Sequence, residues 1–203
     1  MNQRILTLAT RNVNKTREIQ EILGREFTIH DLSDRPDIPE IAETGKTFEE
    51  NAILKAVAVS KRVPGLVLAD DSGIEVDALG GAPGVFSARY AGAAGDDREN
   101  VAKLLRELNR SGAGRVRRQA RFRCVLAVAR DGALVKTLCG EIEGRIADSP
   151  RGKGGFGYDP VFIPNGYTET FAEMPVASKN KLSHRARALD AAIPFLRAAL
   201  RPP

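Results

Sequence analysis

Arg4-Ile5-Leu6-Thr7-Leu8-Ala9-Thr10 is short, apolar and β-prone, and it runs into a polar loop, Arg11-Asn12-Val13-Asn14-Lys15. Beyond the loop, Ile19, Ile22 and Leu23 recur at helical spacing until Gly24. Phe27 to Leu32 then reads as a second strand. Strand, helix, strand is the opening of a βαβ-type α/β fold.

Working outward, residues 33–46 are rich in Asp, Pro and Glu and read as a loop. Thr47 opens the next helix, with Glu50 three residues on completing a capping box. Ala52, Ile53, Ala56, Val57 and Ser60 give that helix a small apolar face, and Pro64-Gly65 ends it. Leu66-Val67-Leu68-Ala69 reads as a buried strand that delivers Asp70-Asp71-Ser72-Gly73 to the end of a sheet. After a glycine-rich stretch from 77 to 95, Asp96 and Glu99 cap a helix with core positions Val101, Leu104, Leu105 and Leu108. Arg115 to Ala129 is a long strand pattern, with Arg115, Arg117, Gln119, Arg121 and Arg123 on one face and Val116, Ala120, Phe122 and Cys124 on the other. Asp131-Gly132 predicts a hairpin turn into Ala133–Cys139. A second glycine-rich loop, 148–160, precedes the strand Val161–Ile163. A closing helix runs from about Pro175 to Leu200, and Pro194 is expected to kink or break it.

No repeat, low-complexity tract or flexible linker interrupts the 203 residues, so residues 1–203 are expected to form one domain. Apolar residues make up 42% and charged residues 28%, which excludes a disordered or membrane-embedded chain. Met1–Thr10 lacks a small-residue cleavage site and reads as a strand rather than a signal peptide. Cys124 and Cys139 lie in apolar stretches with no CxxC and no histidine cluster. Buried thiols in a reducing cytoplasm are the expectation. The net charge of +5 is mostly a statement about solubility.

Several segments carry chemistry. The Thr10–Lys15 loop precedes a helix N-terminus, where free N–H groups and the helix dipole favour an anion. It lacks the glycine spacing of a P-loop, and taken alone a plain capped turn is the favoured reading. Asp70 and Asp71 diverge if they lie on a strand, so one can ligate Mg²⁺ while a carboxylate beside the metal accepts a proton from water. A solvated Asp-Ser-Gly turn is the competing reading. Glu43 and Lys55, taken alone, are ordinary surface residues. Lys153-Gly-Gly-Phe156-Gly157-Tyr158-Asp159-Pro160 combines close backbone approach with an aromatic platform for a base. Ser178-Lys179-Asn-Lys181-Leu-Ser183-His184-Arg185 concentrates cationic donors, among which Arg185 suits a keto oxygen or phosphate. Covalent catalysis has no support. An RNA-binding module using the arginine stripe at 115–123 is the reading from another class, and a pyrimidine or general triphosphate pyrophosphatase is the other enzyme reading.

Thr10-Arg-Asn-Val-Asn-Lys15, Glu43-Thr-Gly, Thr47-Phe-Glu-Glu-Asn-Ala-Ile-Leu-Lys55-Ala, the run from Asp70-Asp-Ser-Gly to Gly92, Gly154-Gly-Phe-Gly-Tyr-Asp-Pro160 and Ser183-His-Arg185 occur in this order. Together they closely resemble the inosine/xanthosine triphosphate pyrophosphatase family, which hydrolyses non-canonical purine nucleotides. The resemblance implies an elongated α/β protein with a long mixed sheet, flanking helices and two lobes with the active site in the cleft between them. It also implies a cytoplasmic homodimer, XTP, ITP and dITP as substrates, and Mg²⁺ as cofactor. Nucleic acid and membrane are not expected as partners. By motif position, Thr10, Arg11, Asn12, Val13, Asn14 and Lys15 hold the phosphates, with Lys55 as a further contact. Glu43 and Asp71 match the metal site, and Asp71 the proton acceptor. Ser72, Phe156, Gly157, Tyr158, Asp159, Lys179, His184 and Arg185 match substrate contacts. One departure stands out: the family's first loop usually reads Ser/Thr-Gly-Asn, and here position 11 is Arg. Either the loop avoids positive φ, or Arg11 adds its own phosphate contact.

Overall fold

The structure, a computed structural model, describes residues 4–92, 95–112 and 118–200. Its strands are β1 (Arg4–Leu8), β2 (Phe27–His30), β3 (Val67–Val76), β4 (Gln119–Arg130), β5 (Ala133–Ile146) and β6 (Phe162–Pro164). Its helices are α1 (Val13–Leu23), α2 (Phe48–Ser60), α3 (Asp97–Arg110), α4 (Val176–Leu182) and α5 (His184–Ala199). The strands form one mixed sheet in the order β2-β1-β3-β4-β5-β6. β1 is parallel to β2, with Ile5 opposite Thr28, and parallel to β3, with Leu8 opposite Leu68. β5 and β6 are antiparallel. The parallel β1–α1–β2 unit is the one the opening sequence predicts.

Of the described residues, those up to Asp71 form one compact unit with Cys124–Gly140 and those from Arg185 onward. Ser72–Arg123 and Glu141–His184 form the other. Each has its own apolar core. In the first, Leu6, Leu8, Leu68, Leu126 and Val128 pack with Ile19 and Leu23 of α1 and Leu189 and Leu196 of α5. In the second, Ile74, Val76, Phe122, Ile142 and Phe162 pack with Val101, Leu104 and Leu108 of α3. Alternation along the strands sets these faces: Ala120, Phe122 and Cys124 are buried while Gln119 is exposed.

Local chemistry fixes the element ends. Thr47 Oγ1 accepts from Glu50 N at 3.1 Å, and Glu50 Oε2 accepts from Lys46 N at 2.6 Å, closing the α2 capping box one residue early. Asp96 Oδ1 caps α3 through Arg98 N and Glu99 N. Asp131 and Gly132, with φ of 53° and 79°, make the two-residue β4–β5 turn.

Five expectations are corrected. β3 does not stop before the acids but runs on to Val76, so Asp70 and Asp71 lie mid-strand rather than at a sheet's end. The last helix is divided at Ser183 (φ −65°, ψ 160°), not at Pro194, which lies inside α5. Asp190 and Pro194 are both exposed, so water can satisfy the carbonyl that the proline leaves without a donor. On α2, Val59 and Asn51 are fully buried, whereas Ile53 and Val57 are only half-buried. Leu105 of α3 is likewise only partly buried against its core. Cys139 is exposed, unlike Cys124. Arg115–Arg117, the expected start of β4, lie outside the described residues.

Candidate functional site

The first unit brings the acids and cations together. Between β1 and α1, Thr10 Oγ1 accepts from Asn12 N at 3.1 Å, and Asn12 Oδ1 accepts from Asn14 N at 3.0 Å and Lys15 N at 3.2 Å. Asn12 is therefore the N-cap, and it uses two N–H groups that an anion would otherwise find free. Val13 is exposed, and Asn14 Oδ1 accepts from Arg17. Lys15 reaches Asp70, with Nζ 2.5 Å from Oδ1 and 3.3 Å from the main-chain oxygen. Arg11 turns away from the loop. Its terminal nitrogen donates to the Arg35 carbonyl at 3.2 Å and to the Ile38 carbonyl. Among the described residues Asp131 is the only non-glycine at positive φ, so position 11 needs no glycine.

Consecutive positions on β3 send Asp70 and Asp71 to different partners. Asp70 is fully buried. Its Oδ2 accepts from Arg185 Nε at 2.8 Å and from the Cys124 thiol at 3.2 Å. Arg185 NH1 in turn donates to Glu18 at 2.5 Å. Burial alone would push the Asp70 carboxyl up, but Arg185 and Lys15 outweigh it and hold it well below the usual range. Burial, reinforced by Asp70, pushes the Cys124 thiol up, so it stays a neutral donor.

Asp71 faces Lys55 instead. Lys55 Nζ lies 2.6 Å from Asp71 Oδ1, 2.7 Å from Glu43 Oε1 and 2.9 Å from the Asp70 carbonyl. One ammonium thus serves two carboxylates. Burial raises the Asp71 carboxyl to about 6, with Glu43 pushing the same way and Lys55 and Lys15 opposing. Burial works against the charged form of Lys55, but Asp71 and Glu43 overcome it and keep the proton on. In this cluster the described ion pairs join Lys15, Lys55 and Arg185 to Glu18, Glu43, Asp70 and Asp71. Among the described residues no group of three or more His, Cys, Asp or Glu is placed to hold a metal. A pair of carboxylates converging on one point of positive charge suits a hard cation that takes one or two protein ligands and completes its shell with water and phosphate.

The second unit gathers the aromatic loop. Asp159 Oδ2 accepts from Phe156 N at 2.9 Å and from Lys179 Nζ at 2.6 Å. A Cβ at Gly155 (φ +69°) would stand 1.9 Å from that same oxygen, so only glycine fits there. Gly157 N donates to Asp97 at 2.7 Å. Tyr158 is buried, with its hydroxyl donating to the Ser87 carbonyl at 2.8 Å; it anchors the loop, and the half-buried Phe156 is its accessible ring. Lys179 Nζ stands 5.2 Å from the Phe156 ring centroid. The buried His184 ring stacks on Phe122 at 4.6 Å. Ser72, the next residue after Asp71, is half-buried at the start of this unit. In the arginine stripe, Arg121 pairs with Glu143 and Asp77, and Arg123 with Glu75 and Glu141, so its described part is neutralised.

Sequence reasoning missed Glu18 and Cys124 as members of the acid–cation network. Glu18 follows Lys15 by three positions on α1, a spacing that puts both on one helix face and would have flagged it. Cys124 carried no such signal.

The Ham1 family model matches residues 6–195. A dITP/XTP pyrophosphatase of Bacillus subtilis is 52% identical over 183 residues, spanning 90% of this chain and 91% of that protein. The dITP/XTP pyrophosphatase of Geobacter sulfurreducens is 53% identical over 186 residues, spanning 91% and 92%. Among solved structures, a HAM1 protein from Coxiella burnetii has a TM-score of 0.84 at 41% identity, covering 96% of this chain and 99% of that one. The chain belongs to the Ham1 family.

Two predictions follow from the charges. Removing Arg185 takes the buried guanidinium from both Glu18 and Asp70, so Arg185→Leu should cost about 3–5 kcal/mol, read by urea denaturation. Asp71 carries the opposite lesson. Its folded pKa of about 6 lies above the unfolded value of about 3.9, so its contribution to stability is intact below the unfolded value and lost as pH rises through the folded one. In metal-free buffer, the thermal midpoint of Asp71→Asn should gain on the parent as pH rises from about 4 to about 7. A pH-independent difference would show that Asp71 is not held toward its neutral form.

Proposed function

We propose that this protein is a Mg²⁺-dependent nucleoside-triphosphate pyrophosphatase. It hydrolyses the non-canonical purine nucleotides XTP, ITP and dITP to the monophosphate and pyrophosphate. The observation that carries the reading is Lys55 Nζ held between Glu43 and Asp71, at 2.7 and 2.6 Å, so that two carboxylates share one ammonium. The dITP/XTP pyrophosphatases at about half identity over nine-tenths of the chain support the substrate class.

Glu43 and Asp71 are the carboxylates that hold the ion, which when bound supplies charge neutralisation on the phosphate oxygens. Lys15 and Lys55 stand beside them as phosphate cations, with Thr10, Asn12, Val13 and Asn14 shaping the helix start that receives the chain of phosphates. Water attacks the α-phosphorus, Asp71 takes its proton, the bond to the bridging oxygen breaks, and pyrophosphate leaves.

Selectivity falls to the base. Phe156 offers its ring for stacking, while Ser72, Gly157, Tyr158, Asp159, Lys179 and His184 of the same unit form or support the pocket for the base. Donors in this set match the 6-keto group of hypoxanthine or xanthine and oppose the amino group of adenine, with unpaired buried groups costing about 1–3 kcal/mol each. Both units belong, on this reading, to one functional domain, and the protein works as a cytoplasmic homodimer without nucleic-acid or membrane partners. No helix of the described residues is long and apolar enough to cross a membrane, and the acids paired with Arg121 and Arg123 argue against an RNA surface.

The test is pyrophosphate release from ITP and ATP with and without Mg²⁺. Release from ITP that requires the ion and exceeds release from ATP is expected, and Asp71→Asn should lose at least about two orders of magnitude in turnover. Equal rates on ATP would remove the base-pocket assignment, and near-parental turnover of the variant would remove Asp71 as base.

A further inference from the structure

The guanidinium of Arg11, in the loop before α1, is used for something other than filling space. One terminal nitrogen bonds two main-chain carbonyls, those of Arg35 at 3.2 Å and Ile38. These belong to a pair of consecutive turns, closed by Arg35 N to Leu32 O and Ile38 N to Arg35 O, each at 3.2 Å. Leu32 N itself donates to the Thr10 carbonyl at 3.0 Å, beside Arg11, and the Ile38 side chain is fully buried. Downstream, Gly45 N donates to Asn51 at 2.8 Å and Lys46 N to Glu50 at 2.6 Å, fastening the chain to α2. Glu43 stands between these two fastenings, and its carboxylate must meet Lys55 at 2.7 Å.

We propose that Arg11 is a positioning residue: it ties the loop before α1 to residues 35–38 and so fixes the segment that sets Glu43 opposite Asp71. The proposal rests on the reading of Glu43 and Asp71 as the metal carboxylates. It replaces direct phosphate contact as the role of Arg11, because both hydrogen bonds of its terminal nitrogen run to the peptide carbonyls of this segment. Lysine presents a single compact ammonium on a flexible stem, so it reproduces the strut only in part.

The test uses the full chain with Arg11→Met and Arg11→Lys; Arg11 is exposed, so neither change disturbs the core. In the metal-free protein, amide hydrogen exchange across residues 35–46 should rise about tenfold in Arg11→Met, with α1 and β3 unchanged. In pyrophosphate release from ITP, the Mg²⁺ concentration for half-maximal rate should rise several-fold, while KM for ITP at saturating Mg²⁺ moves by less than about twofold. Arg11→Lys should fall between parent and Arg11→Met on both measures. Unchanged exchange across 35–46 overturns the strut, and if KM for ITP rises instead, Arg11 is a phosphate contact. A parent protein that leaves ITP intact removes the activity reading, and the exchange measurement still decides the strut.

Discussion

A carboxylate buried in the middle of a strand is the constraint on which the first unit depends. Asp70 has a side chain only 1% exposed, and an ion at that depth is several kcal/mol unfavourable unless opposite charge reaches it. The compensation comes from far along the chain: Lys15 from the first helix and Arg185 from the start of the last, with Glu18 balancing the arginine. Three elements must meet at one point for the charge to be tolerated. The extended residue at Ser183 serves this meeting, since it starts α5 anew and sets Arg185 in its first turn. Burying one acid therefore ties the first turns of α1 and α5 to the middle of β3.

Asp71, one residue on, has the opposite character. Asp70 is held ionised by Lys15 and Arg185, whereas Asp71 shares a single ammonium with Glu43 and is pushed toward its neutral form. Alternation along a strand makes this possible, because adjacent side chains enter different surroundings while their backbones stay locked together. Lys55 bridges the two settings, since it also holds the Asp70 carbonyl at 2.9 Å. A shift of the strand that disturbed Asp70 would move the Asp71 carboxylate with it.

Much of this was legible in the residues, and the failures have physical causes. Capping and turn chemistry is local, so Thr47 with Glu50, Asp96 with Glu99, and Asp131-Gly132 were found where the structure has them. Acids in a strand read as an ending because a buried carboxylate is costly, and the cations that relieve it come from residues 55 and 115 positions away. Proline reads as a helix breaker, but the outcome depends on whether the freed carbonyl meets water, which is a property of the packed helix. The pairing of Lys179 with Asp159 and the commitment of Tyr158 to Ser87 are likewise tertiary facts. Residue types at the candidate site were readable; which of them point at each other was not.

The acid pair also explains why the site is better built for a ligand than for the folded chain alone. Ionising Asp71 costs the folded protein stability, because burial and Glu43 outweigh the pull of Lys55 and Lys15. On the proposed reading, a cation between Glu43 and Asp71 would offset their repulsion, so the free energy that opposes ionisation would favour its binding. Replacing Asp71 with a neutral residue would ease the folded state and, on that reading, forfeit the attraction. Keeping two carboxylates on one lysine is the arrangement expected where stability has been given up for chemistry.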